Sequence, residues 1–142
     1  MGVELKNEVV EVWTITFSVP ASAPAGTVIV GNITRVIGQP SQNLVVVPNT
    51  ELWSIEDMYT QASQSPDANI QPVRNANIQP FQPDLNSLII QYQTRVKLDN
   101  HPLILKPGDQ FYINAITTSA NGTSAVTLTL YAKVVRMSLV NQ

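Results

Sequence analysis

The chain has 142 residues and no cysteine, which predicts a single domain that folds without disulfides or Cys-bound metal. Only 13% of its residues are charged and the formal net charge is −2, so no basic excess favours nucleic-acid binding. Hydrophobic residues make up 44%, which excludes a disordered chain. No apolar run approaches the roughly 18 residues of a membrane-spanning helix, and residues 1–8 are too charged for a signal peptide.

Alternating apolar and polar residues predict strands in the first third of the chain. Residues 8–19 form the first strand, and its expected inward residues are Val9, Trp13, Ile15, Phe17 and Val19. Glu11 interrupts that apolar row, and we expect it to be solvated like Glu4 and Glu8. A second strand covers residues 27–37, with a bulge or kink at Gly31-Asn32. Residues 44–47 predict a short buried strand.

Residues 51–60 fit either a helix or a strand, and the β-rich neighbouring segments favour the strand. In a regular strand, successive side chains point to opposite faces of the sheet. Trp53, Ile55, Asp57 and Tyr59 would then share one face, and Leu52, Ser54, Glu56 and Met58 the other. The adjacent carboxylates Glu56 and Asp57 would therefore not act together on one substrate.

A polar, proline-rich connection follows at about 61–85, and it contains two copies of the motif Ala-Asn-Ile-Gln-Pro, at 68–72 and 76–80. Four prolines disfavour helix and central strand, so we expect an extended, polyproline-like loop. Its apolar residues would be costly to leave in water, so they pack on this domain or on a neighbouring subunit. The candidate subunit contacts are Ile70, Val73, Ile78 and Phe81.

The last third again predicts strands separated by turns. Residues 86–98 form one strand or two, and a short apolar strand covers 103–105. Residues 106–109, Lys-Pro-Gly-Asp, have the composition of a type II turn, and Asn121-Gly122 is typical of a hairpin. Alternation predicts strands at 111–117 and 124–139. About eight strands and no confident helix predict one all-β domain, an eight-stranded antiparallel β-sandwich that is jelly-roll-like; an eight-stranded barrel has the same count.

No residue pattern in the sequence specifies a chemistry. The chain has one histidine, His101, in a predicted turn, too few for a catalytic triad or a histidine-rich metal site. We therefore predict no catalytic, cofactor-binding or metal-binding residues and no enzyme activity. Trp13 is expected in the core. Trp53 is the less certain tryptophan, and it would be the platform of a carbohydrate-binding site if it were exposed.

Residues 103–113 (LILKPGDQFYI) are followed by a loop and a long last strand, and residues 51–59 (ELWSIEDMY) form another predicted strand. The first segment resembles the closing strands, and the second a middle strand, of single jelly-roll proteins, a group that includes virus coat and phage decoration proteins. The resemblance implies a virion structural protein whose partners are copies of itself and other capsid proteins, located in the capsid shell. The alternative function is a carbohydrate-binding, lectin-like sandwich with a glycan as its partner.

Overall fold

The structure is a computed structural model that describes residues 3–36, 38–60, 67–74, 90–91, 96–97 and 103–141. These residues form eleven strands and no helix. The strands are β1 (Val3–Val19), β2 (Val28–Val30), β3 (Asn32–Thr34), β4 (Val45–Val46), β5 (Glu51–Thr60), β6 (Ala68–Arg74), β7 (Ile90–Gln91), β8 (Val96–Lys97), β9 (Leu103–Leu105), β10 (Gln110–Thr117) and β11 (Val126–Asn141). The predicted strand at 51–60 is confirmed over the helix.

The strands form two antiparallel sheets. Sheet A has the order β3-β1-β11-β5-β8, with β9 also beside β5, and sheet B has the order β2-β10-β6-β7, with β4 also beside β10. Each early strand pairs with a late one, in an order that runs from the two ends of the chain toward its middle: β1·β11, β2·β10, β5·β9 and β6·β7. This is the pairing of one long hairpin folded into two sheets. This is the jelly-roll arrangement, and the predicted antiparallel sandwich is confirmed.

The core lies between the two sheets and follows the predicted alternation. In β10, Phe111, Ile113 and Ala115 are fully buried between half-buried neighbours. The buried apolar residues of the two long strands of sheet A are Trp13, Ile15, Phe17, Val19, Leu128, Leu130, Ala132 and Val134. The predicted inward faces of both strands are therefore confirmed except at Val9, which was predicted inward and is 47% exposed.

Gly31 is the point at which the chain crosses from sheet B to sheet A. Its N–H donates to the carbonyl of Ile113 in sheet B, and Asn32 begins the strand that pairs with β1. A Cβ atom at this position would lie 2.7 Å from Cγ2 of Ile15 and 2.9 Å from Cε1 of Phe17. The predicted kink is therefore a crossing that brings backbone so close to the core that no side chain fits.

A β-bulge in β5 corrects the predicted faces of this strand. Lys133 pairs with Asp57 whereas Val134 pairs with Ile55, so Glu56 is an extra residue in β5. After the bulge the faces exchange: Met58 is fully buried, and the Tyr59 ring stacks on Tyr131 outside. Glu56 reaches Lys133, the residue opposite Asp57, with Nζ to Oε1 at 3.6 Å. The prediction that Glu56 and Asp57 alternate as in a regular strand is thus wrong.

Strand β6 lies inside the segment that was predicted to be a proline-rich loop. It pairs with β10 along its whole length, and Pro72 lies opposite Ile113. Because the Ile113 carbonyl accepts from Gly31 on the other side of β10, Pro72 and Ile113 form a non-hydrogen-bonded pair. Proline at this register costs β6 no hydrogen bond to β10, which explains why a strand tolerates it.

Two predicted turns have different outcomes. Gly108 has φ of 84°, and the Asp109 N–H donates to the Lys106 carbonyl at 3.0 Å, so the turn at 106–109 is confirmed. Asn121-Gly122 does not close a hairpin, because the strands on either side, β10 and β11, belong to different sheets. The Asn121 amide instead donates to the Pro20 carbonyl and holds this loop against the end of β1.

Candidate functional site

Charged side chains close one end of the sandwich. Glu11 continues the inward row of β1 beyond Trp13, and Arg136 continues the inward row of β11 beyond Val134. Glu11 is only 8% exposed, so the prediction that this carboxylate is solvated is wrong. Val9, the next inward residue of β1, is 47% exposed, so the buried interior ends at Glu11. We call Glu11, Arg35, Glu51 and Arg136, together with Trp13 and Trp53, the end cluster.

Each carboxylate of the end cluster accepts a hydrogen bond from the tryptophan two residues along its own strand. Trp13 Nε1 donates to Glu11 at 2.9 Å, and Trp53 Nε1 donates to Glu51 at 2.8 Å. The two indole rings meet edge to face, 5.6 Å between centroids and 79° between planes. Strands β1 and β5 therefore present the same Glu-x-Trp pattern from opposite sides of β11, a repeat that the alternation of apolar and polar residues does not predict.

Arg136 joins the two carboxylates. Its Nε and Nη2 donate to Glu51 at 2.8 and 3.0 Å, and its Nη1 donates to Glu11 at 2.8 Å. The pairing with Glu51 is bidentate, the strongest geometry for an arginine and a carboxylate. Arg136 of β11 thus links a side chain of β1 to a side chain of β5 at this end of sheet A.

Arg35 covers the cluster from the chain that leaves β3. Its Nε lies 3.3 Å from Glu11 Oε1, and its guanidinium carbon lies 4.4 Å from the centre of the Trp53 ring. A guanidinium at this distance from an indole face is attracted by the ring quadrupole. Arg35 therefore seals the tryptophan pair from solvent and also neutralises Glu11.

The end cluster is built to keep its carboxylates ionised. Burial acts to raise the pKa of Glu11, but hydrogen bonds from Trp13, Arg136 and Arg35 outweigh it and lower the pKa below its ordinary value. The bond from Arg136 likewise lowers the pKa of Glu51, and both carboxylates raise the pKa of Arg136. A general acid or base needs a pKa near neutrality, so the geometry suits a structural role and not proton transfer.

An open pocket of about 270 Å³ lies over the end cluster. Its lining residues are Glu11, Ile33, Arg35, Val36, Gln39, Pro40, Gln42 and Arg136. The lining carries one carboxylate, that of Glu11, and two guanidiniums, those of Arg35 and Arg136; Glu51, the second partner of Arg136, lies outside the lining. Each charged group of the lining has an ion-pair partner within the end cluster.

The candidate contact residues from the sequence fall into two groups. Ile70 is fully buried in the core. Val73 lies on the other face of β6 and is 6% exposed. Both therefore pack within this subunit, which was the first of the two alternatives for the apolar residues of this segment. Ile78 and Phe81 lie outside the described residues, as does His101.

Exposed valines mark the outer surfaces of both sheets. Val10 and Val12 lie on the outer face of β1, 58% and 54% exposed. Val28 and Val30 of β2 and Val46 of β4 lie along one edge of sheet B and are about half exposed, at 59%, 47% and 52%. Val36 and Leu44 are exposed in the chain between them. The sequence pattern did not identify these residues as a surface feature. Valine is common in strands because of its β propensity, so an exposed valine cannot be told from a buried one by residue type.

Comparison of the sequence with protein-family models and with curated proteins finds no match. In the part of the chain that the structure describes, no helix is long and apolar enough to cross a membrane. The same residues contain no group of three or more His, Cys, Asp or Glu side chains that could hold a metal ion.

Proposed function

We propose that this chain is a virion structural protein, a small capsid or decoration subunit that assembles with copies of itself and with other shell proteins. The observation that carries the proposal is the placement of exposed valines on the outer surfaces of a jelly-roll sandwich. Single jelly rolls are a common architecture of coat proteins. A fold hosts many functions, so the apolar surface of the sandwich is needed beside its topology to support this function.

The interior of the sandwich supports a structural role over ligand binding. Tryptophan, phenylalanine and β-branched side chains fill the space between the sheets, and the pocket over the end cluster lies at the edge of this core. Sandwiches that carry small ligands present a concave apolar cavity with a few convergent polar groups. Among the described residues, most of the large exposed apolar side chains are valines on the outer faces of β1, β2 and β4, and these valines do not line a cavity between the sheets.

The surface composition supports repeated contacts between proteins. Charged residues are only 13% of the chain, and the polar residues are largely Asn, Gln, Ser and Thr. Interface cores are depleted in charged groups, because each charge that loses water must find a partner. A surface of valine and uncharged polar groups lowers that desolvation cost at every contact of a shell.

The carbohydrate-binding alternative loses its central residue. It required Trp53 to be exposed as a stacking platform, and Trp53 is fully buried beneath Arg35. Its indole N–H already donates to Glu51. A buried and hydrogen-bonded Trp53 cannot serve as a stacking platform for a sugar.

Light scattering after size exclusion, with electron microscopy of the peak fractions, tests the proposal. We expect oligomers whose mass rises with protein concentration, and closed shells or regular arrays under at least one assembly condition. Val30→Lys combined with Val46→Lys should shift the distribution to smaller species, since both side chains are exposed in the monomer. A wild-type chain that stays monomeric at millimolar concentration would contradict the proposal.

A further inference from the structure

We propose that two copies of this chain pair edge to edge through β1, antiparallel about a two-fold axis, so that sheet A continues across both subunits. The inference rests on the proposed function and names one interface of the assembly. Its basis is the length of β1: the strand begins at Val3, but β3 pairs only with its residues Thr14, Ile15 and Thr16. Among the described residues, no strand lies on this edge of β1 between Val3 and Val12.

The backbone groups that this edge leaves unpaired can be assigned. Both the N–H and the carbonyl of Ile33 bond to Gln42, away from β1, so Ile15 and Ile33 form a non-hydrogen-bonded pair. Thr14 therefore directs its N–H and carbonyl toward β3, and by alternation Val12 and Val10 direct theirs to the same side. No strand receives them there in the described part of the chain.

A bulge in β1 between Lys6 and Val9 changes which residues direct their backbone groups to the open edge in the first part of the strand. Lys6 pairs with Ser138 whereas Val9 pairs with Arg136, so β1 carries one extra residue between them. Below the bulge, the backbone groups of Leu5 and Val3 face the open edge. Bulges and inward charges such as Glu11 often protect an edge from pairing, so a pairing that fits must accommodate both.

One antiparallel register matches the open backbone groups across the bulge. Placing Val10 of one copy opposite Leu5 of the second places Val12 opposite Val3, and every residue in these pairs has its backbone groups on the open edge. The two bulges then meet at the two-fold axis. The β1 strand of the second copy begins opposite Val12, one pair short of the edge that β3 occupies from Thr14. Each such pair exchanges two backbone hydrogen bonds. The register also places Glu4 of one copy opposite Glu11 of the second, a like-charge pair that opposes the contact. Arg35 and Arg136 already balance the charge of Glu11 within its own subunit.

The same register joins apolar positions. Leu5 pairs with Leu139 and Val10 with Val135, both on the outer face of sheet A, so the positions of Leu5 and Val10 lie on that one face. An isologous contact of this kind is self-complementary, because the same patch serves both subunits. The open edge of β2 is a weaker candidate, since that strand has only three residues and short edges rarely template pairing.

Proline at Val10 tests the inference without breaking a bond of the subunit. The Val10 N–H faces the open edge, so Val10→Pro leaves the ladder between β1 and β11 intact but removes a donor that the dimer needs. Val28→Pro is the matched control: Val28 is 59% exposed, close to the 58% of Val10, and its N–H also faces an open edge, that of β2. We expect Val10→Pro to weaken dimerisation about tenfold or more, and Val28→Pro to leave it unchanged.

Disulfide trapping tests the register itself. The chain has no cysteine, so the double variant Leu5→Cys, Val10→Cys introduces the only thiols. In hydrogen-bonded antiparallel pairs the Cα atoms are about 5.5 Å apart, within the range that a disulfide spans. We expect a covalent dimer on a non-reducing gel after mild oxidation, and none from the control pair Leu5→Cys, Val28→Cys.

The outcomes separate this inference from the proposed function. If Val10→Pro folds and assembles like wild type, or if the cysteine pair fails to cross-link in a wild-type-like dimer, the β1 interface is wrong while the shell function stands. If Val10→Pro abolishes dimers but wild type never forms larger assemblies, the interface stands and the shell function fails. If Val10→Pro does not fold, the cross-linking result alone decides. A wild-type monomer at all concentrations removes both.

Discussion

Replacing Glu11 tests whether the end cluster stabilises the fold. Glu11 accepts hydrogen bonds from Trp13, Arg35 and Arg136, and among the residues that the structure describes it is the one carboxylate that contacts both arginines. In Glu11→Gln the amide oxygen can still accept from Trp13, but the amide NH₂ then faces the guanidinium of Arg136, donor against donor. The change therefore removes the ion pairs of Glu11 with Arg35 and with Arg136, while Arg136 keeps its bidentate partner Glu51.

The expected loss follows from those contacts. The short charge-assisted hydrogen bond from Arg136 contributes about 1.5–3 kcal/mol, whereas those from Arg35 are long, at 3.3 and 3.4 Å. Both arginines are partly exposed, so we expect Glu11→Gln to lower the free energy of unfolding by about 2 kcal/mol. Glu11→Ala also leaves the buried Trp13 N–H without an acceptor and opens a cavity, so its expected cost is about 3–4 kcal/mol. The control, Glu56→Gln, breaks the exposed pair with Lys133 and should cost roughly 0–0.5 kcal/mol.

The pH dependence gives this prediction a second test. The pKa of Glu11 is lower in the folded state than its ordinary value. Its ionisation therefore stabilises the fold fully above the unfolded-state pKa of about 4.3, and that contribution is lost as the pH falls through the lower, folded-state pKa. The difference between wild type and Glu11→Gln should thus narrow in acid. Urea unfolding monitored by tryptophan fluorescence at pH 7 and pH 3 measures it; equal costs for Glu11→Gln and Glu56→Gln at pH 7 would refute the reasoning.

Three other substitutions test the packing of the sandwich by urea unfolding. Gly31→Ala should cost about 2–3 kcal/mol, because its Cβ would lie within 3 Å of Ile15 and Phe17; an unchanged midpoint would mean that the sheet crossing can relax. Gly108→Ala should cost only about 1 kcal/mol, since its nearest neighbour is 3.5 Å away and only the positive φ of 84° opposes it. Ile70→Ala should destabilise the monomer itself by about 2–5 kcal/mol, and a monomer of wild-type stability with weakened oligomers would instead assign Ile70 to a subunit contact.

The long strands were predictable because each is covered by the core on one face only. In β10 and β11, alternation of period two follows directly from which face meets the opposite sheet, so Phe111 and Leu128 could be placed inside from the sequence. The Pro-Gly turn before β10 was predictable for a local reason, since Gly108 adopts a left-handed φ. Such signals depend on neighbouring residues and not on the rest of the fold.

The remaining features depend on partners distant in sequence. The bulge at Glu56 is defined only by its register against β11, and it decides whether Met58 or Tyr59 is buried. Pro72 is compatible with a strand only because the hydrogen bonds of Ile113 point the other way. Asn121-Gly122 resembles a hairpin locally, yet the jelly roll sends the next strand to the other sheet.

The burial of Glu11 in the end cluster likewise depends on partners that are distant in the sequence. Glu11 stood in phase with an apolar row, which is a signal of inward orientation, but a lone inward carboxylate without a known partner was better interpreted as solvated. Its partners, Arg35 and Arg136, are separated from it by 24 and 125 residues. The recurrence of Glu-x-Trp in β1 and β5 was the one clue within the sequence that could have located the cluster.

The crossing at Gly31 is a position at which this protein would not tolerate an inserted sequence. Ile29 faces the interior from sheet B and Ile33 from sheet A, with Gly31 midway between them. One added residue in this stretch would turn one of these isoleucines outward. An engineered epitope is better inserted at residues 122–125, which are exposed and lie between strands of different sheets, where added length leaves the phase of both unchanged.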